Sequence, residues 1–234
     1  MKVHGLGLLA VVVVATVVLT NRGPNGVGRA IIPAYLPPPE LEQLAKHDGA
    51  GSLLIVNPDS GPGAAADPAY EHAIAAARDA HWRVLGYVAT GYGTRESGTV
   101  TDEAARYAAW YDVDGIFLDE TSHAAEQLPY YRALRERIPG LVVINPGVIP
   151  ARGYIATADV IVTYEGPYRG RVAAPAWLPP DRTAQLVYDT PRRDALSLVK
   201  RTPAGFLYVT SRALPNPWSS LPPYLDEELD ALTG

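Results

Sequence analysis

VLGYVATGYGTRESGTVTDEAARYAAWYDVDGIFLDE, residues 84–120, contains two short apolar runs, Val84–Ala89 and Gly115–Asp119, separated by a stretch rich in alanine and acids. Runs of five or six residues dominated by Val, Ile, Leu and Phe read as buried strands. A helical stretch between two of them reads as a βα unit feeding a parallel sheet. The helix is expected over Thr101–Trp110, opened by Thr101-Asp102-Glu103-Ala104, whose acids would face the positive end of the helix dipole.

The same alternation extends in both directions. Further strands are expected at Ile31–Tyr35, Leu53–Asn57, Leu141–Asn145, Val160–Glu165, Gln185–Asp189 and Phe206–Thr210, making eight. Helices are expected at Glu40–Lys46, Pro68–His81 (capped by Asp67, with Pro68 in its first turn), His123–Arg137, Arg192–Lys200 and Tyr224–Leu232. After strands five and six the sequence is rich in Gly and Pro, so short or irregular helices are expected there. Eight βα units specify an α/β chain closed into a single (β/α)8 TIM-type barrel. A doubly wound open sheet is the competing architecture. Its dinucleotide-binding form would place GxGxxG after the first strand, where Leu36-Pro37-Pro38-Pro39 stands instead.

The chain of 234 residues is long enough for one such domain with a full core. The first residues differ from the rest: Lys2 precedes fourteen residues, LGLLAVVVVATVVL (Leu6–Leu19), and a polar Gly/Pro stretch follows. That length suits the apolar region of a signal peptide better than a spanning helix. The expected organisation is therefore a signal peptide or N-terminal membrane anchor at 1–22, a linker at 23–29 and the catalytic barrel at 30–234. The barrel would be secreted or held at the outer face of the cell membrane, touching the membrane only through that segment.

Composition removes several function classes. With no cysteine there is no disulfide, thiolate nucleophile or Cys-ligated zinc, and the five histidines have no metal-ligand spacing, so neither metal nor cofactor is expected. A formal charge of −5 with scattered basic residues argues against a nucleic-acid partner. A monomer is expected.

In a barrel of this kind chemistry lies at the carboxyl ends of the strands. Polar residues collect there: Asn57 after strand two, Tyr87 and Tyr92 at and after strand three, Asp119 and Glu120 at strand four, Asn145 at strand five, and Tyr164 and Glu165 at strand six. Two carboxylates on different strands are the minimal equipment for cleaving a glycosidic bond, one as acid/base and the other as nucleophile or base. Asp119 and Glu165 are the candidates. Glu120 is adjacent to Asp119, and successive strand residues point to opposite sides, so Asp119 is preferred by position. Tyr35, Asn57, Tyr87, Tyr92, Arg95, Asn145 and Tyr164 are expected to line a groove, with tyrosine faces against sugar rings and amides on hydroxyl or acetamido groups.

Five segments in this order, VNPDSGPG (56–63), VLGYVATGYGTR (84–95), GIFLDE (115–120), INPG (144–147) and VTYEG (162–166), resemble the spherulin-4, or spherulation-specific, family over Ile31 to about Thr210. The resemblance implies a (β/α)8 barrel that hydrolyses α-1,4-linked N-acetylgalactosamine polymers through a shallow acidic groove. It implies catalytic roles for Asp119, Glu120 and Glu165. By similarity to retaining α-glycosidase barrels, the strand-four acid would be the nucleophile and the strand-six acid the acid/base. The chain after Glu165 is short and rich in proline, which departs from the family pattern and suggests trimmed binding loops. A barrel that binds polysaccharide without cleaving it is the alternative.

Overall fold

In the computed structural model, which describes residues 28–233, each of the eight apolar runs is a strand: β1 (Arg29–Ala34), β2 (Leu53–Val56), β3 (Arg83–Ala89), β4 (Gly115–Asp119), β5 (Leu141–Ile144), β6 (Val160–Pro167), β7 (Thr183–Tyr188) and β8 (Phe206–Val209). All neighbours pair in parallel and β8 returns to β1, so the sheet is a closed barrel in chain order. The strands are continuous apolar runs because both faces are covered, by the barrel interior on one side and by helices on the other. Leu53–Val56, Leu141–Ile144 and Phe206–Val209 are buried along their whole length. The expected segment at 1–22 and most of the linker to 29 lie outside the described residues.

Among the described residues six α-helices surround the barrel: α1 (Pro38–Leu44), α2 (Pro68–Asp79), α3 (Ser97–Tyr111), α4 (Leu128–Arg137), α5 (Arg192–Val199) and α6 (Leu225–Thr233). Asp67 caps α2 as expected, its carboxylate accepting the Ala69 N–H, with Pro68 in the first turn. The start expected at Thr101 is corrected. α3 begins a turn earlier because Glu96 caps it, accepting the Thr99 N–H at 3.0 Å, and the Thr101 hydroxyl bonds back to the Gly98 carbonyl inside the helix. The helix expected from His123 begins only at Leu128, after a 3-10 turn over Ala125–Gln127 and with a proline in its first turn. After β5 and β6 there are only 3-10 turns, at Arg152–Ala156, Tyr168–Gly170 and Pro180–Arg182, in the two units where irregularity was expected.

One glycine brings a helix directly onto the sheet. A Cβ on Gly86 would lie 2.3 Å from the Tyr107 ring, so glycine allows that ring of α3 to rest on β3, and the Tyr107 hydroxyl reaches the Val56 carbonyl at 3.3 Å. With Gly86 against the helix layer, its neighbour Tyr87 points to the other side, toward the barrel mouth.

Candidate active site

The carboxyl ends of β4, β5 and β6 bring three side chains together. Asp119 is the last residue of β4, Glu165 lies near the end of β6, and Asn145 follows β5 between them. The Asn145 Nδ2 donates one hydrogen to Asp119 Oδ1 at 2.8 Å and the other to Glu165 Oε2 at 2.5 Å. Its Oδ1 accepts the Gly147 N–H at 3.0 Å, which fixes the amide with its NH2 toward the acids. Laid end to end, the bonds of 2.8 and 2.5 Å cap the separation of the two carboxyl oxygens at about 5.3 Å.

The backbone here is tied as closely as the side chains. Asn145 donates its N–H to the Leu118 carbonyl at 2.9 Å and accepts the Thr121 N–H at 3.1 Å, while Glu165 donates to the Gly147 carbonyl at 3.0 Å. In the β6–β7 pairing the register shifts between Val162 and Tyr164, an irregularity of the kind that re-aims a side chain beside a site. Just past Asp119 the chain turns sharply, because Glu120 takes a left-handed φ of 48°. Its carbonyl accepts the Tyr92 N–H at 2.6 Å and the Thr90 hydroxyl at 2.8 Å. Thr90 is in turn held by Tyr131 of α4 at 2.9 Å, and the Tyr131 hydroxyl accepts the Ser122 N–H. A strained residue held from several sides is a recurring feature of functional loops.

The two acids are perturbed by the same causes, burial and a neighbouring carboxylate, and differ in how many donors oppose them. Burial, and to a lesser degree the Glu120 charge, push Asp119 above the usual carboxylate range, opposed by hydrogen bonds from the Glu120 N–H, Asn145 and the Tyr87 hydroxyl. Burial also raises Glu165, and the neighbouring Asp119 charge raises it further. Asn145 and Trp218 oppose this. Asp119 thus has three donors supporting its charge against the neighbouring Glu120 charge, whereas Glu165 has two against the Asp119 charge. The Tyr87 phenol is pushed up by burial and by Asp119, so it remains a proton donor. Tyr35 meets Tyr87 edge to face at 5.4 Å between ring centroids and is likewise raised by burial and by Asp119.

The other expected residues are distributed differently. Tyr92, 62% exposed and left-handed at φ 57°, stands on the rim, as does the exposed Glu120 carboxylate. The Asn57 Oδ1 accepts the Gly61 N–H at 2.8 Å and so shapes the loop after β2. Arg95 is a tie within its own unit, gripping Glu103 of α3 at 2.6 and 3.1 Å and donating to the Ala89 carbonyl at 2.5 Å. Tyr164 is not brought to the acid pair. It lies on the side of β6 opposite Glu165, and its hydroxyl donates to the Pro167 carbonyl at 2.5 Å.

One member of the constellation was absent from the expected set. Trp218, from the segment between β8 and α6, donates its indole N–H to Glu165 Oε1 at 3.3 Å. Only 8% exposed, it is steadied by Tyr188 at 6.1 Å and Tyr208 at 6.0 Å between ring centroids. The available signal was an aromatic residue, in Asn216-Pro217-Trp218, shortly after the last strand and hence at the same end of the barrel as the acids. Among the described residues no cluster of three or more His, Asp or Glu side chains is arranged to hold a metal ion.

Residues 30–232 match the family model described as spherulation-specific family 4. Over 148 residues the sequence is 34% identical to Spherulin-4 of Physarum polycephalum, a match covering 58% of this chain and 44% of that protein, so it spans less than half the length of this relative. The fold is similar to that of Sph3 from Aspergillus clavatus, solved in complex with GalNAc. The TM-score is 0.79 and the identity 28%, covering 89% of this chain and 98% of the other.

Proposed function

The chain belongs to spherulation-specific family 4, and from that premise we propose that it is a retaining glycoside hydrolase that cleaves α-1,4-linked N-acetylgalactosamine or galactosamine polymers internally. The observation that carries the proposal is the single amide bridging Asp119 and Glu165, which keeps the two oxygens it binds, Asp119 Oδ1 and Glu165 Oε2, within about 5.3 Å. Retaining enzymes hold their carboxyl groups about 5–5.5 Å apart, and inverting enzymes need about 6.5–9.5 Å to admit a water molecule. The resemblance to the family, and the GalNAc with which Sph3 was solved, support the sugar.

Asp119, with three donors on its carboxylate, is the nucleophile. It attacks the anomeric carbon while Glu165, whose protonated form burial and the Asp119 charge both favour, gives its proton to the departing glycosidic oxygen. The C–O bond to the leaving chain breaks and an ester to Asp119 forms. Glu165, now ionised, takes a proton from water, whose oxygen displaces Asp119 and restores the original anomeric configuration. Tyr87, hydrogen-bonded to Asp119, holds the nucleophile in place, and Glu120 and Tyr92 on the rim meet the polymer. In this reading residues 1–22 bring the barrel at 30–234 to the outside of the cell, where such a polymer would be met.

The test is release of reducing ends from an α-1,4-linked N-acetylgalactosamine polymer by the purified protein, with NMR of the first product anomer. Release with retained configuration is expected. Binding without release beyond a buffer blank would leave a polysaccharide-binding barrel instead, and first release of the opposite anomer would refute retention.

A further inference from the structure

The unit after β6 has no α-helix, and the outer flank of β7 is covered instead by the irregular segment 171–179. Between that segment, the start of β7 and the approach to β8 lies a cavity of about 420 Å³. Its walls are largely aliphatic, formed by Val172, the alanines 173, 174 and 176, Leu178 and several prolines. Its volume falls in the range of small-molecule sites, about 300–1,000 Å³. None of the residues around the acid pair lines it.

Arg171 lines this cavity in a fixed pose. Its Nε and Nη2 donate to Gln185 Oε1 at 2.8 and 2.6 Å, and Nη2 also donates to the Thr202 hydroxyl at 3.1 Å. Gln185 is buried on β7, and its amide nitrogen approaches the Val172 carbonyl at 3.4 Å, so the anchor itself is immobilised. Both of these partners are neutral. Among the described residues no carboxylate forms an ion pair with Arg171, although seven other ion pairs involve arginine or histidine. The remaining nitrogen, Nη1, makes no hydrogen bond to protein and is not among the buried polar atoms left without partners, so it is open to a ligand. A half-buried cation, held by neutral groups in an apolar cavity, lacks a counter-charge. Arg201, also in the lining, adds a second positive group.

We infer that this flank cavity is a second binding site, separate from the carboxylate groove, for a small organic anion: a carboxylate that pairs with Arg171 and is carried on an apolar body packed against the alanine and proline wall. A sugar acid fits less well, because the wall offers few hydrogen-bonding groups beyond Thr183 and Gln185, and the Gln185 oxygen is already taken up by Arg171.

The probe is sodium benzoate, titrated into the isotope-labelled full chain and followed by NMR amide shifts. Saturable shifts are expected at Val172, Ala173, Ala174, Ala176 and Gln185 with none at Asn145 or Gly147. Arg171→Gln should weaken binding about tenfold or more, as loss of a charge-assisted bond implies, and Arg171→Lys should fall between. Ala174→Phe keeps the arginine and its anchors but fills the cavity, and should abolish saturation; it carries the test if Arg171→Gln does not fold. Sodium glucuronate should bind more weakly than benzoate. Tighter binding of glucuronate, unchanged benzoate affinity in Arg171→Gln or Ala174→Phe, or shifts gathered around Asp119 and Glu165 would each overturn the inference.

Discussion

Trp218 donates its indole N–H to the Glu165 carboxyl, although the two are 53 residues apart and on different βα units. The bond favours the ionised form of Glu165 and so limits how far burial and the Asp119 charge raise it. Trp218→Phe keeps a ring against Tyr188 and Tyr208 but removes the donor. Glu165 then rises further, and if it acts as the proton donor, the alkaline limb of the kcat profile should move to higher pH, with kcat falling about tenfold. An unchanged limb in a folded variant would remove Trp218 from the machinery.

Asn145 gives one hydrogen to each acid, so its amide has none left for a sugar. Asn145→Ala is expected to lower kcat about tenfold to a hundredfold with little change in KM, because what is lost is the support of the carboxyl pair rather than a substrate contact. A rise in KM at constant kcat would instead make Asn145 a sugar-binding residue.

Asp119→Asn and Glu165→Gln should each reduce turnover about a hundredfold or more. Glu165→Gln should also stabilise the fold, and the sign depends on pH. The folded-state value of Glu165 is raised, so its contribution is fully present below the unfolded carboxylate value and is lost as pH rises through the folded one. Thermal melts should therefore show the variant more stable than the parent near pH 8 and no more stable near pH 4. A variant less stable at both values would contradict the shift.

Glu228 on α6 offers the same test away from the chemistry. It is fully buried: one oxygen accepts the Val209 N–H at 2.7 Å, the other has no partner, and burial holds the group well above the ordinary carboxylate range. Glu228→Gln keeps the acceptor and removes the ionisable proton. It should raise the melting midpoint at alkaline pH, by about 2–4 °C for each kcal/mol that ionisation costs, and leave it unchanged at acidic pH. Equal shifts at both extremes would mean that packing, not ionisation, is responsible.

How far the sequence discloses this molecule depends on whether a feature is local. Eight strands are legible because a strand covered on both faces must be apolar throughout, as Leu141–Ile144 and Phe206–Val209 are. The start of α3 was misplaced because Glu96, rarely thought of as a cap, reaches Thr99 as well as a shorter acid would. Alternation along a strand, which favours Asp119 over Glu120, also sets Tyr164 on the opposite side from Glu165, and applying it evenly would have kept Tyr164 out of the groove. The Asn145 bridge and the approach of Trp218 depend on where neighbouring strand ends and a proline-rich segment come to rest, which no local pattern encodes. Arg95, expected to line the groove, is held by Glu103 in the structure.

β1 starts at Arg29, at the end of the barrel where strands begin, whereas Asp119 and Glu165 stand where strands finish. The polypeptide therefore enters the barrel through its floor. Any surface that held the protein by the residues ahead of Arg29 would meet that floor, and the mouth would look away from it. A long polymer could then be gripped at an interior position without either end having to thread between enzyme and surface, and lengthening or shortening the tether would change how far the barrel reaches.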